Sequence, residues 1–531
     1  MDALQRLKEA ARELRKPANV AREVDHSVRM GRTRRRAAEE PGPAAAPRAA
    51  GPGGVRAVLV VHGMGQQVRF QALDQIAEGL LREAGESARK PTARAVAIGD
   101  EMYQRLELFL PLADGGEREV HVYETYWAEI TEGRVTVRDV TSFLFGAAFN
   151  GFRNLGGVSR YSFGRDHTLR PPFSAVVGLL GACGVLLTFA AMNGVLLALA
   201  ALKGFEPGFV PDSIKARFTD NASALLALLT SFSFATLALL IVLFGAEWAK
   251  RRTARVPLDG LWRALGVALQ GVFVLWLSLT ILAGLAVAVL ASGIGPESAI
   301  REALSCPWLA KHWMLPLAAL LLASFAVRRF LVQYLGDVAA YVTSYRIDRF
   351  ADLRNQVKEV VRKTAAAIYE ATEEPESKVR AYDGVAVVAH SLGSVIAYDA
   401  LNALLLEDMF SAEARDVAVR TRLFLTFGSP LEKTAFVFSS RATTYAREAL
   451  ATALQPLISD YAFRPFRWVN VFSRRDPISG RLTSYDDSSQ ALYRRRRVRN
   501  LPDRAAVLPL LAHLEYFNDP VVIRQLVRAL R

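Results

Sequence analysis

The segment Val385-Ala-Val-Val-Ala-His-Ser-Leu-Gly-Ser-Val-Ile-Ala-Tyr-Asp399 carries the strongest structural signal in this chain. Its first five residues are apolar and partly β-branched, which is typical of a buried parallel strand. A tight turn through Ser391 follows, and apolar residues then recur at helical spacing. Small residues flank the serine, as in the G-x-S-x-G pattern, except that Ala389 replaces the first glycine. The alternative interpretation is an ordinary strand–turn–helix connection that happens to contain a serine.

Composition narrows the class of protein. The 531 residues exceed one ordinary domain, and 51% of them are hydrophobic. The formal net charge is +14, but no nucleic-acid recognition motif accompanies it, and clusters of arginine beside long apolar runs indicate an anionic membrane surface instead. Cys183 and Cys306 offer neither metal-ligand spacing nor a disulfide framework. The sequence therefore predicts a membrane partner and no nucleic-acid partner.

Four segments are predicted along the chain. Residues 1–54 form a basic arm, expected to be disordered, whose charged beginning lacks the apolar core of a signal peptide. Residues 55–150 and 334–531 form two parts of one domain, and residues 151–333 form an insert between them. The insert contains three uncharged runs longer than the roughly 20 residues that cross a bilayer, and a shorter run that contains Pro316. The predicted spans are about 173–202, 222–246, 264–292 and 312–330; the alternative is that these runs are core helices of a large soluble protein.

Parity and loop charge predict the orientation of the insert. A strand near Val58 and the turn at Ser391 are expected to share one domain, which requires an even number of crossings. Arg and Lys are concentrated before the first span, between the second and third, and after the fourth: Arg153, Arg160, Arg165, Arg170, Lys250, Arg251, Arg252, Arg255, Arg263, Arg328 and Arg329. The positive-inside rule then predicts a multi-pass protein of the inner or plasma membrane, with its folded domain and both termini in the cytoplasm.

Strands and helices alternate outside the insert. The predicted strands are 58–61, 106–112, 119–126, 385–389, a run beginning at Arg422 that ends in a Gly-Ser-Pro turn at Pro430, and 467–473. Helical spacing covers residues 70–81, 334–372 and the segment after Ser391. This alternation predicts an α/β fold whose mainly parallel sheet is flanked by helices.

A serine hydroxyl needs a base before it can act as a nucleophile, and that base is normally a histidine held by a carboxylate. Where a nucleophilic serine occupies such a turn, the acid and the histidine both follow it in the chain. His513 is the only histidine after Ser391. Asp476 directly follows a hydrophobic strand and is the preferred acid, although an Asx-Pro turn would also explain it. The rival acids are Asp460, Asp486 and Asp487.

The loop His62-Gly63-Met64-Gly65 follows the first predicted strand. Two backbone N–H groups normally stabilise the oxyanion formed when a serine attacks a carbonyl group. Leu392, directly after the serine, is expected to supply one, and Met64 the other. Gly63 and Gly65 leave room for a carbonyl group, although a simple glycine turn is the alternative.

Taken together, these motifs resemble the α/β-hydrolase superfamily of serine lipases and esterases. The motifs are His-Gly-Met-Gly at 62–65, Ala-His-Ser-Leu-Gly at 389–393 with His390 and Gly393 beside the serine, Phe-Gly-Ser-Pro at 427–430, Asp-Pro-Ile at 476–478 and the late His513. The turn and helix from 389 to 401 are similar to those of intracellular phospholipases A1 that prefer phosphatidic acid. The resemblance covers roughly 55–126 and 335–531 and excludes the insert, which would be an inserted four-helix transmembrane region in an α/β-hydrolase fold.

The resemblance implies ester hydrolysis without a cofactor or metal, with Ser391 as nucleophile, Asp476 as acid and His513 as base. A lipid or phospholipid acyl ester is the expected substrate, and Arg494–Arg497 are expected to contact anionic headgroups. Two alternatives stay open: a thioesterase or acyltransferase with the same three residues, and a catalytically silent membrane scaffold.

Overall fold

A computed structural model describes the chain over residues 54–64, 68–85, 89–131, 212–253, 259–304, 349–373, 379–411, 414–437, 466–476, 478–483, 485, 498–509 and 511–531, together with single helical residues between 181 and 194 and between 318 and 325. The predicted arm lies outside these residues apart from Gly54, as do Arg494–Arg497 and most of the first and fourth predicted spans. The predicted helical stretch 334–372 is described only from Arg349 onward.

One eight-stranded sheet joins the two parts of the chain that flank the insert. Its strands are β1 (Arg56–Val61), β2 (Thr92–Ile98), β3 (Glu101–Pro111), β4 (Glu117–Thr125), β5 (Gly384–His390), β6 (Thr421–Phe427), β7 (Arg467–Phe472) and β8 (Arg499–Pro502). The order across the sheet is β2-β3-β4-β1-β5-β6-β7-β8. All pairs from β4 to β8 are parallel, while β2–β3 and β3–β4 are antiparallel. The predicted α/β fold with a mainly parallel sheet is confirmed.

Helices cover both faces of the sheet and form the insert. In chain order they are α1 (Gln71–Ala84), α2 (Ala128–Thr131), α3 (Asp212–Asp220), α4 (Ala222–Arg252), α5 (Asp259–Ser292), α6 (Glu297–Leu304), α7 (Arg349–Glu370), α8 (Leu392–Phe410), α9 (Val417–Arg420), α10 (Leu431–Val437) and α11 (Pro520–Leu530). Two short 3₁₀ turns, Leu511–Leu514 and Tyr516–Asn518, precede α11.

The central strands are buried on both sides, because alternate residues face two separate cores. Leu59 of β1 and Val387 of β5 face a core shared with α7 and α8. Val58 of β1 and Val388 of β5 face the opposite core, shared with α1 and α11. A strand covered on both faces needs apolar side chains at every position, which explains the continuous apolar runs in β1 and β5.

The parallel register aligns the carboxyl ends of the central strands at one edge of the sheet. Val61 of β1 lies opposite Ala389 of β5, and His390 of β5 lies opposite Phe427 of β6. The residues that immediately follow β1, β5, β6, β7 and β8 therefore meet at this edge, which is where open parallel sheets form their binding crevices.

Two helices of the insert, α4 with 31 residues and α5 with 34, are long and apolar enough to cross a membrane. They contain the predicted spans 222–246 and 264–292. Their neighbouring ends, around Lys250 and Arg263, lie against the segment 503–515 that follows β8. The carboxyl edge of the sheet therefore faces the insert.

Candidate active site

Ser391 occupies the sharp turn between β5 and α8. Its backbone angles are φ 52° and ψ −130°, a conformation that costs a non-glycine residue about 1–3 kcal/mol and that the surrounding structure must impose. The Ser391 N–H donates to the carbonyl oxygen of Phe427 at 3.0 Å, which ties the turn to the end of β6. The turn directs the serine side chain away from the sheet and towards the segment that contains His513.

Close packing around this turn requires glycine at two positions. A Cβ atom at Gly393 would overlap the carbonyl oxygens of Val61 and His62 at the end of β1. A Cβ atom at Gly63 would lie 2.8 Å from the Cβ of Ser391. The loop after β1 and the start of α8 can therefore approach each other only because both residues lack side chains.

Three of the predicted residues form one hydrogen-bonded chain. Ser391 Oγ lies 2.7 Å from His513 Nε2, and His513 Nδ1 lies 2.8 Å from Asp476 Oδ2. All three side chains are buried. Because Asp476 is an acceptor, Nδ1 of the neutral histidine carries the proton and Nε2 can accept from the serine hydroxyl. Each residue comes from a different carboxyl-edge connection, after β5, β7 and β8.

Asp476 is held as a carboxylate. Burial alone would raise the pKa of Asp476, but the adjacent His513, the Ile478 N–H and the Lys433 ammonium lower it to about 2. The Ile478 N–H donates to Oδ1 at 2.7 Å, and the Tyr516 hydroxyl donates to Oδ2 at 2.9 Å. A carboxylate fixed in this way can orient His513 and stabilise the imidazolium form of its ring.

His390 holds the backbone of His513 in place and is itself uncharged. Its Nε2–H donates to the carbonyl oxygen of His513 at 2.9 Å, and the two ring centroids lie 4.9 Å apart. Burial and the neighbouring His513 lower the pKa of His390 to about 3, so its ring is neutral. This contact holds the backbone of the His513 turn next to the end of β5.

His62 fixes the loop after β1. The Trp127 N–H donates to His62 Nε2 at 3.2 Å, and His62 Nδ1–H donates to the Gly63 carbonyl oxygen at 2.8 Å. The Trp127 indole stacks on the His62 ring, and burial lowers the pKa of His62 to about 4. Gly63 and the buried Met64 thus lie beside Ser391 in a braced loop, while Gly65 is outside the described residues.

Leu392 begins α8, where backbone N–H groups lack partners within the helix. The structure therefore brings both ends of the predicted oxyanion site, the Met64 loop and the Leu392 turn, to Ser391. That their N–H groups bind an oxyanion stays a prediction. Of the four candidate acids, Asp476 is the one that contacts His513; Asp460, Asp486 and Asp487 lie outside the described residues.

Several residues of the site were not predicted. Tyr516 donates to Asp476, accepts from the Ser473 N–H at 2.8 Å and contacts Ser479 Oγ at 2.9 Å. Lys433 Nζ donates to the Ser479 carbonyl oxygen at 3.0 Å, and burial lowers the pKa of Lys433 to about 8. The position of Tyr516, three residues after His513, could have signalled its role, but nothing in the local sequence marks Lys433.

The His513 segment also contacts the insert. Lys250 Nζ, at the end of α4, lies 2.6 Å from Glu515 Oε1 and donates to the Ala505 carbonyl oxygen at 2.5 Å. Glu515 Oε2 accepts from the Val507 N–H at 2.8 Å. Val507 and Leu508 pack among apolar residues of α4 and α5, and a Cβ atom at Gly266 would overlap the Val507 carbonyl oxygen. The loop that presents His513 is thus enclosed between the sheet and the two long helices.

One group of described residues, Glu107, Glu119 and His121, has the ligand types and spacing for a metal ion. Its atoms are engaged otherwise. Arg105 Nε donates to Glu107 at 2.9 Å, Arg94 pairs with the second Glu107 oxygen at 3.1 Å, and His121 Nδ1 contacts the Tyr382 hydroxyl at 3.0 Å. The arrangement fits an ion-pair network on β3 and β4, away from Ser391.

Comparison of the chain with protein-family models, with curated proteins and with solved structures finds no match. The resemblance to α/β-hydrolases therefore rests on the motifs of the sequence. The described site is a buried serine, histidine and aspartate in hydrogen-bond contact beside a strained turn. Such an arrangement is chemically able to activate a hydroxyl group for attack on a carbonyl carbon.

Proposed function

We propose that the chain is a serine hydrolase. More particularly, we propose a membrane-anchored enzyme of α/β-hydrolase fold that cleaves carboxylic esters, with lipid or phospholipid acyl esters as its substrates. The observation that carries the proposal is the contact of Ser391 with His513 and of His513 with Asp476, at 2.7 and 2.8 Å. The strand–turn–helix context of the serine and the chain order Ser, Asp, His both support the α/β-hydrolase assignment.

In the proposed first half-reaction, Ser391 Oγ attacks the ester carbonyl carbon while His513 Nε2 takes the hydroxyl proton. The N–H groups of Met64 and Leu392 would stabilise the oxyanion, at roughly 3 kcal/mol for each donor. Asp476 stabilises the imidazolium. His513 then returns the proton to the leaving alcohol as the ester C–O bond breaks, and the acyl group remains on Ser391.

In the second half-reaction, water attacks the acyl-enzyme. His513 accepts a proton from the water, the oxyanion forms again, and collapse of the intermediate releases the carboxylic acid and restores the Ser391 hydroxyl. No step requires a metal or a cofactor. An acyltransferase or thioesterase would use the same residues, and differs in the acceptor or in the leaving group.

Exposed apolar side chains support the membrane anchor. In the part of the chain that the structure describes, α4 and α5 carry many exposed large apolar residues: Phe234, Ile241, Val242, Phe244, Trp248, Leu261, Leu265, Val267, Val272, Val274, Leu275, Leu279, Ile281, Leu282 and Leu285. Soluble proteins rarely expose a continuous apolar surface of this length. Lipid is the environment in which such a surface is stable.

The path of the chain supports four crossings. The ends of α4 and α5 near Lys250 and Arg263 lie at the sheet, so their far ends, near Ala222 and Ser292, are about 45 Å away at 1.5 Å per residue. The chain must cover this distance once before α4 and once after α5. Gly181 lies beside Leu277 of α5, Gly184 beside Ile281 and Thr188 beside Gly284. Because the residue numbers rise together along both segments, this stretch runs parallel to α5, outward from the sheet. With the loop charges, this supports the proposal that the sheet lies in the cytoplasm.

This geometry would hold the candidate site close to the bilayer surface. Since the carboxyl edge of the sheet faces the insert, Ser391 would open towards the cytoplasmic leaflet, where acyl esters are concentrated. The substrate is therefore proposed to be a membrane lipid rather than a soluble ester.

Labelling of the detergent-solubilised full chain by a fluorophosphonate probe tests the proposed activity. Wild type and Ser278→Ala, a control whose hydroxyl donates to the Val274 carbonyl oxygen within α5, should label equally. Ser391→Ala and His513→Ala should not label. Fatty acid release from lipid vesicles should then follow the same pattern.

Absence of labelling in folded wild type would overturn the hydrolase proposal and favour the scaffold alternative. Labelling that survives in Ser391→Ala would assign the reactive serine elsewhere. Transfer of the acyl group to an added alcohol in preference to water would instead favour an acyltransferase.

A further inference from the structure

Five arginines line one cavity between α5, β8 and α11. The cavity has a volume of about 540 Å³, and we call it the arginine pocket; its arginines are Arg263, Arg499, Arg504, Arg524 and Arg528. They come from three elements and one loop: Arg263 lies near the start of α5, Arg499 lies in β8, Arg504 lies in the loop after β8, and Arg524 and Arg528 lie one turn apart on α11. The lining does not include Ser391, His513 or Asp476.

Among the described residues, the lining of the pocket combines five arginines with a single carboxyl group, that of Asp519. Among the described residues, no ion pair involves Arg499, Arg504, Arg524 or Arg528. Burial lowers the pKa of the neighbouring Arg467, and the charges of Arg499 and Arg528 lower it further.

Asp519 is the one carboxyl group in the lining, and it is itself paired with an acid. Its Oδ1 accepts from the Val521 N–H at 2.5 Å, while Asp519 Oδ2 and Asp503 Oδ2 are both buried without a hydrogen-bond donor. Burial and the interaction with Asp503 raise the pKa of Asp519 well above its usual range. The Asp519 carboxyl therefore favours its protonated form and cancels little of the positive charge of the arginines.

The pocket lies where the apolar part of α5 begins. A second cavity of about 580 Å³ adjoins Arg263 and is lined by Ala264 and Val267 of α5 together with Arg474, Arg475 and Arg504. Val267 is 62% exposed, and α5 contains no charged residue after Arg263. The two surfaces together fit a ligand with an anionic group at the arginines and an apolar chain along Ala264 and Val267. A phospholipid has both parts.

We propose that the arginine pocket binds the phosphate of an anionic phospholipid in the leaflet that α5 enters. The guanidinium groups are planar donors suited to phosphate oxygens, and α5 offers an apolar surface to the acyl chains. The proposal depends on the proposed membrane placement and is independent of the hydrolase activity. The bound lipid would hold α5, β8 and α11 together at the membrane surface.

Binding is measured by native mass spectrometry of the full chain in detergent, as the Ser391→Ala variant so that a bound lipid cannot be hydrolysed. The probes are dioleoyl phosphatidylglycerol, dioleoyl phosphatidylcholine and soluble glycerol phosphate. Phosphatidylglycerol should bind in preference to phosphatidylcholine. Arg524→Gln/Arg528→Gln should weaken this preference about 30-fold, if each arginine contributes about 1 kcal/mol at a membrane surface.

Two matched variants distinguish lipid binding at the arginine pocket from a general effect of the positive charge of the protein. Arg82→Gln/Arg422→Gln removes the same charge from exposed positions on α1 and β6 and should retain the preference, as should Arg524→Lys/Arg528→Lys in large part. If the glutamine pair on α11 fails to fold, Arg499→Gln/Arg504→Gln replaces it. Equal binding of both lipids by the parent, an equal loss in the Arg82/Arg422 control, or equally tight binding of glycerol phosphate would overturn the proposal.

Discussion

Ser391 and His513 face each other across 2.7 Å, yet different parts of the molecule hold them. Ser391 lies at the end of the central strand β5, between β1 and β6, and its turn is fixed by close contact with the backbone of β1. His513 lies in a loop, residues 503–519, between β8 and α11. The loop contacts Asp476 and His390 on one side, through His513 and Tyr516, and the long helices α4 and α5 on the other.

The difference indicates what each half of the site depends on. The serine turn belongs to the most deeply buried strands, and its contacts among the described residues are with the ends of β1 and β6 and with His513. The loop that contains His513 has little regular secondary structure. It is held in part by the Lys250–Glu515 pair and by apolar contacts with α4 and α5. Changes in the insert should therefore reach the Ser391–His513 contact through the histidine side.

The largest effect is expected on the serine side, from Gly393→Ala. The added methyl group overlaps the backbone of β1, which cannot move without breaking the sheet, so the midpoint of thermal unfolding should fall sharply and probe labelling should disappear. Gly260→Ala, at a position in α5 with open space around it, is the matched control and should retain both properties. Normal labelling by Gly393→Ala would mean that the turn is not held as described.

Asp476→Asn tests the carboxylate that orients His513 towards Ser391. An amide can no longer hold His513 in the tautomer that accepts the serine proton, so kcat for ester hydrolysis should fall about 10⁴-fold. The midpoint of thermal unfolding should change much less than in Gly393→Ala. A loss below tenfold in steady-state hydrolysis of a short-chain ester would return the role of the acid to Asp460, Asp486 or Asp487.

Lys250→Met separates the histidine side from the serine side. It leaves the buried Glu515 carboxylate without its cation, which should displace the 505–515 backbone and lower kcat roughly 10- to 100-fold, the usual cost of misplacing a catalytic group. The double variant Lys250→Met/Glu515→Gln removes the unpaired charge and should recover much of the activity. Lys363→Met, at an exposed site on α7, is the control.

If Lys250→Met changes stability but leaves kcat and its pH profile unchanged, the insert anchors the domain without positioning His513. That outcome would show that the position of His513 does not depend on contacts with the insert.

Asp519→Asn is expected to give the smallest effect, on stability rather than on activity. Because the pKa of Asp519 is raised on folding, the folded state binds more protons than the unfolded state between the ordinary carboxyl pKa and the raised value, so stability falls as the pH rises through this window. Asparagine removes this titration. The unfolding midpoint of the variant, relative to wild type, should therefore increase from pH 5 to pH 8.

Asp74→Asn, at an exposed position on α1, controls for the loss of one charge. A relative midpoint that is independent of pH in Asp519→Asn would show that folding does not raise the pKa of Asp519.

Patterns within one segment were predictable from the sequence. The apolar run and the turn at Ser391 predicted β5 and the start of α8 because a doubly covered strand leaves a continuous apolar signal. The strands 58–61, 106–112 and 119–126 correspond to β1, β3 and β4. Chain order alone was enough to select His513, and its contact with Asp476 is seen in the structure.

Elements without such a signal were missed. Strand β2, Thr92–Ile98, lies exposed at the edge of the sheet and contains three alanines among its seven residues, while β8 has only four residues and ends in proline. The Lys250–Glu515 pair joins residues that are 265 positions apart in the chain. The arginine pocket likewise draws on residues from three elements. Contacts of this kind depend on how elements pack, which local sequence patterns do not encode.

The central position of β1 also has a consequence for how the protein is made. Its neighbour β4 follows within the same stretch of chain, but its other neighbour, β5, emerges only after roughly 260 further residues that include α4 and α5. At 5–20 residues per second, one edge of β1 would stay open for about 13–50 s during synthesis. An unpaired apolar strand edge invites aggregation, so the nascent chain has a defined interval in which a chaperone, or early docking of the insert at its membrane, would matter most.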